Sequence, residues 1–273
     1  MIPDTPGLVA TGRRIVDGFS RLTVPKLAKL TRDPWRIELF LRMPIAVEWR
    51  EAVATIIPEA TSGTVRRAEK EFWGDRRFHA ETQDRCRATR GRAPLWNPFH
   101  LALYSIARLK RPRFVVETGV FDGLSSAALL LALSRNQHGE LASVDLPAAE
   151  TVRDSTHLMP ETRLPDGRSP AWIVPEHLRG RHNLILGDSR VLLPKVLDGV
   201  HGMDLFVHDS LHTMHHQSFE YRTAWAGLAP GGLLLSDDVS WSPAFHRFCR
   251  SHSVPYVRFE GAGIVKKPDH HTP

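Results

Sequence analysis

The sequence predicts an α/β fold built on a largely parallel sheet, with a helical extension in front of it. From Arg113 onward, short β-branched segments alternate with helical patterns, which is typical of parallel strands joined by helices. Each predicted strand also ends in a small or acidic residue. Residues 1–97 lack this alternation, so we expect them to form helices and irregular segments.

The predicted elements follow in the order that such a sheet requires. A helix over 101–109 leads into the first strand at 114–116, and serines favour a helix start at 125. Apolar runs predict further strands at 141–144, 183–186, 205–207 and 231–235, and helices at 125–134, 191–197, 217–228 and 243–251. Segments 256–259 and 262–265 are expected to form a terminal hairpin, followed by a loose tail at 268–273.

One connection is unusually long for a compact sheet. Between the second and third predicted strands the chain contains five prolines, at positions 147, 160, 165, 170 and 175. Loops of this length are commonly functional, which predicts a lid or a binding loop. Trp172 in this stretch is expected to be a packing anchor rather than a substrate contact.

Composition indicates a cytoplasmic protein. Lys and Arg total 36 against 30 Asp and Glu, and the net charge is +6, with the basic excess in the front third. Arg mixed with Glu and Asp favours a solvated helix face over a nucleic-acid surface. The two cysteines suit a reducing compartment. No apolar run approaches the roughly 20 residues that span a bilayer, and no signal-peptide pattern opens the chain.

The first strand leads into a glycine turn that is suited to a ligand. Glu117 ends the strand, Gly119 permits a tight turn, and Gly123 lets the next helix approach closely. This differs from the dinucleotide pattern G-x-G-x-x-G, because an acidic strand end favours a cationic group over a pyrophosphate. Asp145, at the end of the next strand, could accept hydrogen bonds from ribose hydroxyls.

These motifs resemble those of class I S-adenosylmethionine-dependent methyltransferases, and in particular the branch of macrocin-type sugar O-methyltransferases and cephalosporin-hydroxylase-like proteins. The resemblance covers residues 98–267, and it is carried by Val116–Gly119 with Gly123, Ser143–Asp145, Gly187–Ser189, Asp204–Thr213 and Pro230–Asp238. It implies a Rossmann-like seven-stranded sheet with an antiparallel last strand. It also implies S-adenosylmethionine binding by Glu117, Thr118, Gly119, Gly123, Ser125, Asp145, Asp188 and Ser189.

Three acids are expected to converge at neighbouring strand ends. Asp209 follows the fourth strand, and Asp237 and Asp238 follow the fifth. Such carboxylates repel one another unless a cation lies between them. Oxygen ligands suit Mg²⁺ best, with Mn²⁺ or Ca²⁺ as alternatives. The resemblance implies that these acids bind a divalent metal that holds the hydroxyls of the acceptor.

The fourth strand end departs from the sugar enzymes. They carry Asp-Gly-Asp-His, whereas this chain has Asp209, Ser210, Leu211 and His212. Leu211 thus replaces a candidate base, and His212 could take over as the general base, because an ordinary histidine titrates near neutrality. A structural hydrogen bond is an equally good interpretation of His212.

The sequence therefore predicts a methyltransferase that acts on the hydroxyl of a small molecule, of sugar or natural-product type. Three alternatives stay open: a metal-independent methyltransferase, a non-haem iron oxygenase using His208, Asp209 and His212, and a non-catalytic S-adenosylmethionine-binding module on nucleic acid. The chain has no aromatic-basic interleaving that would favour nucleic acid. Residues 1–97 could close over the site or join copies of the chain in a homo-oligomer.

Overall fold

The computed structural model describes residues 33–146, 164–199 and 202–269. Its centre is a seven-stranded sheet in the order β3-β2-β1-β4-β5-β7-β6. The strands are β1 Phe114–Thr118, β2 Glu140–Asp145, β3 His182–Leu186, β4 Met203–His208, β5 Leu228–Ser236, β6 Tyr256–Phe259 and β7 Ala262–Lys266. The first five are parallel, and β7 runs antiparallel to β5. The α/β class, the seven strands and the antiparallel last strand are therefore confirmed.

Helices cover both faces of the sheet and extend from its N-terminal side. They are α1 Trp35–Arg42, α2 Trp49–Ile56, α3 Ser62–Gly74, α4 Arg76–Arg90, α5 Pro98–Lys110, α6 Leu124–Asn136, α7 Ser189–Asp198, α8 Met214–Gly227 and α9 Ala244–Ser251, with a short 3₁₀ helix at Glu176–Arg181. The helical extension is confirmed over the part that is described. The tail from residue 270, the proline-rich segment 147–163 and residues 1–32 lie outside the described residues.

The extension shares its core with the sheet. Residues from α2 to α4, among them Trp49, Phe72 and Phe78, belong to one buried apolar cluster with α5, α6 and the inner side of β1. Val47 also forms a parallel bridge with Phe259 of β6. The predicted boundary after residue 97 stays a prediction, since packing is continuous across it.

Some charged side chains of the extension form ion pairs with each other or with the next helix. Arg50 pairs with Glu69, and Arg108 in α5 pairs with Glu71. The interpretation of the remaining basic excess as a solvated helix face stays a prediction. None of the helices among the described residues is long and apolar enough to cross a membrane.

Gly119 is the tightest point of the sheet edge. Its φ is +81°, and a Cβ placed on it would lie 2.1 Å from the backbone oxygen of Asp209. The end of β1 can approach the end of β4 this closely only because the residue has no side chain. The glycine predicted from the sequence is therefore required by packing as well as by backbone conformation.

We expect Gly119→Ala to destabilise the protein by about 2–4 kcal/mol, because it adds both a steric clash and left-handed strain. Gly74→Ala is the matched control, since a Cβ at the end of α3 meets nothing within 4 Å. The measurement is urea unfolding followed by circular dichroism. Equal midpoints for the two variants would contradict this account of the contact.

Candidate functional site at the carboxyl edge of the sheet

The predicted site residues lie where β1, β2, β4 and β5 end. Parallel strands bring their carboxyl ends to one edge, which is where open α/β sheets bind ligands. Register places Thr118 beside Val144 on one side and beside His208 on the other, and His208 pairs with Ser236. The structure separates the predicted residues into a glycine-turn group, a buried histidine group and an acidic group.

Asp145 supports the glycine turn directly. One carboxylate oxygen accepts hydrogen bonds from the backbone N–H groups of Val120 (3.0 Å) and Phe121 (2.8 Å). The other accepts from the N–H of Leu146 at 2.8 Å. Burial raises the pKa of Asp145, although these backbone bonds act in the opposite direction. Its predicted contact with a ribose would therefore use the acceptor capacity that the turn leaves.

Glu117 is a fully buried carboxyl with one atom unused. Its Oε2 accepts hydrogen bonds from the hydroxyls of Ser126 and Ser143, at 2.5 and 2.9 Å. Its Oε1 has no hydrogen-bond partner among the described residues. Burial raises the pKa of Glu117, and the nearby hydroxyls of Ser125, Ser126 and Ser143 partly oppose that rise. A buried acceptor without a partner fits a donor such as the amino group of a methionine moiety.

Thr118 and Ser189 bond to a buried carboxylate, and their predicted contact with the cofactor stays a prediction. Both hydroxyls donate to the carboxylate of Glu220, at 2.5 Å each. Asp188 caps the start of α7 by accepting from the N–H of Arg190 at 2.8 Å, and its carboxylate pairs with the Arg190 side chain. Thr118 and Ser189 thus help to build the edge, and Asp188 holds the helix that follows β3.

Sequence reasoning missed Glu220, the centre of the buried histidine group. Its side chain is 0% exposed, and it is 2.6 Å from Nδ1 of His208 and 2.8 Å from Nε2 of His216. The Ser210 hydroxyl lies 3.0 Å from both of its oxygens. Burial alone would raise the pKa of Glu220, but the bonds from His208 and His216 hold it well below its usual range. The i,i+4 spacing of His216 and Glu220 was the available clue.

The acidic group is electrostatically crowded. Burial raises the pKa of Asp209 well above its usual range, and Asp237, Glu117 and Asp238 raise it further. Burial also raises the pKa of Asp237. Burial, followed by the charge of Asp237, raises the pKa of Asp238 to about 6. These pKa directions are those expected of neighbouring carboxyls that repel one another, and the predicted metal-binding role of the three acids stays a prediction.

His212 faces this acidic group. Its Nε2 lies 3.8 Å from Oδ1 of Asp209 and has no hydrogen-bond partner within the described ranges. Burial lowers the pKa of His212 to about 3, and nearby His208 adds to that effect. The ring also contacts Trp241, whose side chain is 63% exposed, at 5.6 Å between centroids. A neutral imidazole therefore stands beside a carboxyl of raised pKa at the open end of β4.

The side-chain positions do not form a metal centre. In the part of the chain that the structure describes, no group of three or more His, Cys, Asp or Glu side chains is arranged to hold an ion. Of the residues predicted for an iron site, His208 is bonded to Glu220 through Nδ1, and its Nε2 has no hydrogen-bond partner among the described residues. The predicted metal therefore stays a prediction, and no reaction step is assigned to it.

The comparisons with known proteins agree with this fold. Residues 116–239, somewhat less than half of the chain, match the family model described as "Methyltransferase domain". No curated protein matches the chain in sequence. The match spans β1 to the Asp237–Asp238 pair, so every predicted site residue lies inside it.

Three solved structures illustrate the likeness. The S-adenosylhomocysteine-bound methyltransferase PaMTH1 of Podospora anserina is 15% identical, with 69% of this chain and 88% of that chain covered and a TM-score of 0.48. The O-methyltransferase TomG of Streptomyces achromogenes is 16% identical, with 70% of this chain and 89% of that chain covered and a TM-score of 0.47. A methyltransferase of Geobacter sulfurreducens is 17% identical, with 83% of this chain and 98% of that chain covered and a TM-score of 0.45. At these identities the likenesses establish neither a substrate nor a metal.

The sheet order and the family-model match together define the class of this protein. A sheet with the order 3-2-1-4-5-7-6, a glycine turn after β1 and acids after β2, β4 and β5 is that of a class I methyltransferase. Residues 116–239 therefore form a methyltransferase domain. The atom that it methylates is a separate question.

We expect Glu220→Gln to cost about 3 kcal/mol of stability, because five side-chain donors converge on this carboxylate and an amide would turn an NH₂ towards some of them. The pKa of Glu220 is depressed by folding, so its contribution is present above its ordinary value of 4.5 and is lost as the pH falls. The difference in the free energy of unfolding between the variant and the wild type should therefore become smaller at acidic pH.

The measurement is denaturant unfolding from about pH 8 down to about pH 2.5, which extends well below the ordinary pKa of a glutamate. Glu176→Gln is the control, because Glu176 belongs to an ion pair in which it is 83% exposed, and such pairs contribute little. If Glu220→Gln and Glu176→Gln had the same free energy of unfolding, the charge of Glu220 would contribute nothing to stability.

Proposed function

We propose that the protein transfers a methyl group to a hydroxyl oxygen of a small molecule, of sugar or natural-product type. The observation that carries this proposal is the pair formed by His212 and Asp209 at the open end of β4, with Nε2 and Oδ1 3.8 Å apart. Transfer to a hydroxyl requires a proton acceptor at the acceptor oxygen, and this pair offers one at the predicted edge.

The residues of the glycine turn fit the methyl donor. S-adenosylmethionine supplies a sulfonium-bound methyl group, which leaves a neutral thioether when the new oxygen–carbon bond forms. The partnerless Oε1 of Glu117 would accept from its amino group, and Gly119 keeps side-chain atoms away from the edge. Asp145 holds the turn amides and would meet the ribose with its remaining acceptor capacity.

The proton of the acceptor hydroxyl would go to the His212–Asp209 pair. The raised pKa of Asp209 makes it a stronger base than an ordinary aspartate, whereas the lowered pKa of His212 makes the imidazole a weaker one. We therefore assign Asp209 as the proton acceptor and His212 as its neutral hydrogen-bonding neighbour. Much of the remaining rate enhancement would come from holding the two reacting atoms in line.

The prediction of a divalent metal is more specific than the prediction of methyl transfer to a hydroxyl. Mutual repulsion among Asp209, Asp237 and Asp238 supports a cation there, but their side chains do not form a ligand set in the described structure. A metal-independent transfer uses the same residues with Asp209 as base. The two versions differ in whether chelation abolishes activity.

We expect S-adenosylhomocysteine to bind the purified protein, because the glycine turn and the buried acceptor of Glu117 are independent of any acceptor substrate. The measurement is isothermal titration after EDTA treatment, with and without added Mg²⁺. Absence of binding in both conditions would overturn the proposed function. Tighter binding or activity only with Mg²⁺ would support the metal-assisted version.

We expect Asp209→Asn to lower kcat by about 100-fold or more while leaving the affinity for S-adenosylhomocysteine unchanged, since it removes the proton acceptor and not the donor site. His212→Gln should lower kcat less. The measurement is release of S-adenosylhomocysteine with a hydroxylated acceptor found by screening. Asp166→Asn, at an exposed position, is the control. Full activity of Asp209→Asn would remove Asp209 from the mechanism.

A further inference from the structure

The loop of the glycine turn, residues 119–123, has little regular structure of its own. It contains one internal backbone bond, from the N–H of Gly123 to the oxygen of Val120 at 2.9 Å. Phe121 adopts a φ of +52°, a left-handed conformation that is uncommon for a bulky side chain. The conformation of the loop must therefore be imposed by its surroundings.

Asp145 fixes one side of this loop through the amides of Val120 and Phe121, as described above. The other side is fixed through Asp122, which is 7% exposed. Arg90, the last residue of α4, donates to both carboxylate oxygens of Asp122, from Nε at 2.8 Å and from Nη2 at 2.6 Å. This bidentate pair is geometrically specific and largely withdrawn from solvent.

Trp172 completes the enclosure of Asp122. Its indole N–H donates to the same carboxylate at 2.7 Å. Backbone bonds run from the N–H of Ala171 to the oxygen of Phe121 and from the N–H of Ile173 to the oxygen of Asp122, at 3.0 and 3.1 Å. The guanidinium of Arg90 also lies 5.0 Å from the Phe121 ring. Residues 171–173 of the proline-rich stretch and Arg90 of the N-terminal extension thus both contact this loop.

We propose that Arg90 is a positioning residue for the S-adenosylmethionine site, and that the helical extension sets the affinity for this donor through it. The inference rests on the proposed use of the glycine turn as the donor site. Arg90 contacts the loop and not the predicted donor-binding atoms, so it acts through Asp122. The extension would then contribute to the donor site as well as to the hydrophobic core.

A purely structural salt bridge would have a different effect. Loss of such a bridge would lower the unfolding midpoint but leave the folded molecules with the same donor affinity. Loss of a positioning contact weakens donor binding in protein that is still folded, because the loop no longer holds one conformation. The donor KM should rise while kcat at saturating donor stays unchanged, since the acceptor end of the site is not touched.

The test is isothermal titration of the full chain with S-adenosylhomocysteine at a temperature where circular dichroism shows each variant to be folded. Arg90→Gln should raise the Kd about tenfold, and Arg90→Lys should give an intermediate value because lysine cannot make two parallel bonds. Arg77→Gln is the control on the same helix, since Arg77 is 68% exposed and pairs with Glu81 one turn further along α4. Its Kd should equal that of the wild type.

A folded Arg90→Gln protein whose Kd equals that of the wild type would overturn the proposal. If Arg90→Gln does not fold, Trp172→Phe keeps the ring but removes one donor to Asp122, and its Kd should rise about threefold. An unchanged Kd in Trp172→Phe would then overturn it. Failure of the wild type to bind would instead reject the proposed function, so the two failures are distinguishable.

Discussion

The carboxylate of Glu220 is the contact on which the carboxyl edge of the sheet depends. It receives donors from the end of β1, the start of α7, the end of β4 and the first turn of α8. A buried charge is costly unless all of its acceptor capacity is used, and here it is used by neighbours from four elements. The relative positions of these elements are therefore fixed by one group that does not itself reach solvent.

This constraint also separates two kinds of polar residue at the edge. Thr118 and Ser189 donate their hydroxyl hydrogens to Glu220 and keep no side-chain donor for a ligand. Glu117 and His212 each keep a buried atom without a partner among the described residues. The division between scaffold and candidate site follows from this unequal use of hydrogen-bonding capacity, and sequence position alone does not reveal it.

The sheet was predictable because its information is local. Each predicted strand is an apolar run followed within a few residues by a glycine or an acid. A parallel sheet then brings the carboxyl ends of these strands to one edge. For Glu220 the spacing to His216 was the one local clue, and its other partners Thr118 and Ser189 are distant in the chain, so the sequence does not indicate that all of them meet on one carboxylate. The Arg90–Asp122 pair joins residues 32 positions apart, and a run of arginines on a helix gives no indication of which one is buried.

The bridge between Val47 and β6 has a consequence for the order in which the molecule can be completed. The N–H of Val47 bonds to the oxygen of Arg258 at 2.8 Å, so an early segment of the chain has its backbone partner near the end. During synthesis, the segment around residue 47 leaves the ribosome long before that partner exists. Closing so long a loop is slow and must await the last strands. Until β6 has been synthesised, the N–H of Val47 lacks the backbone partner that it has in the folded protein, and segments left open in this way are prone to non-native association.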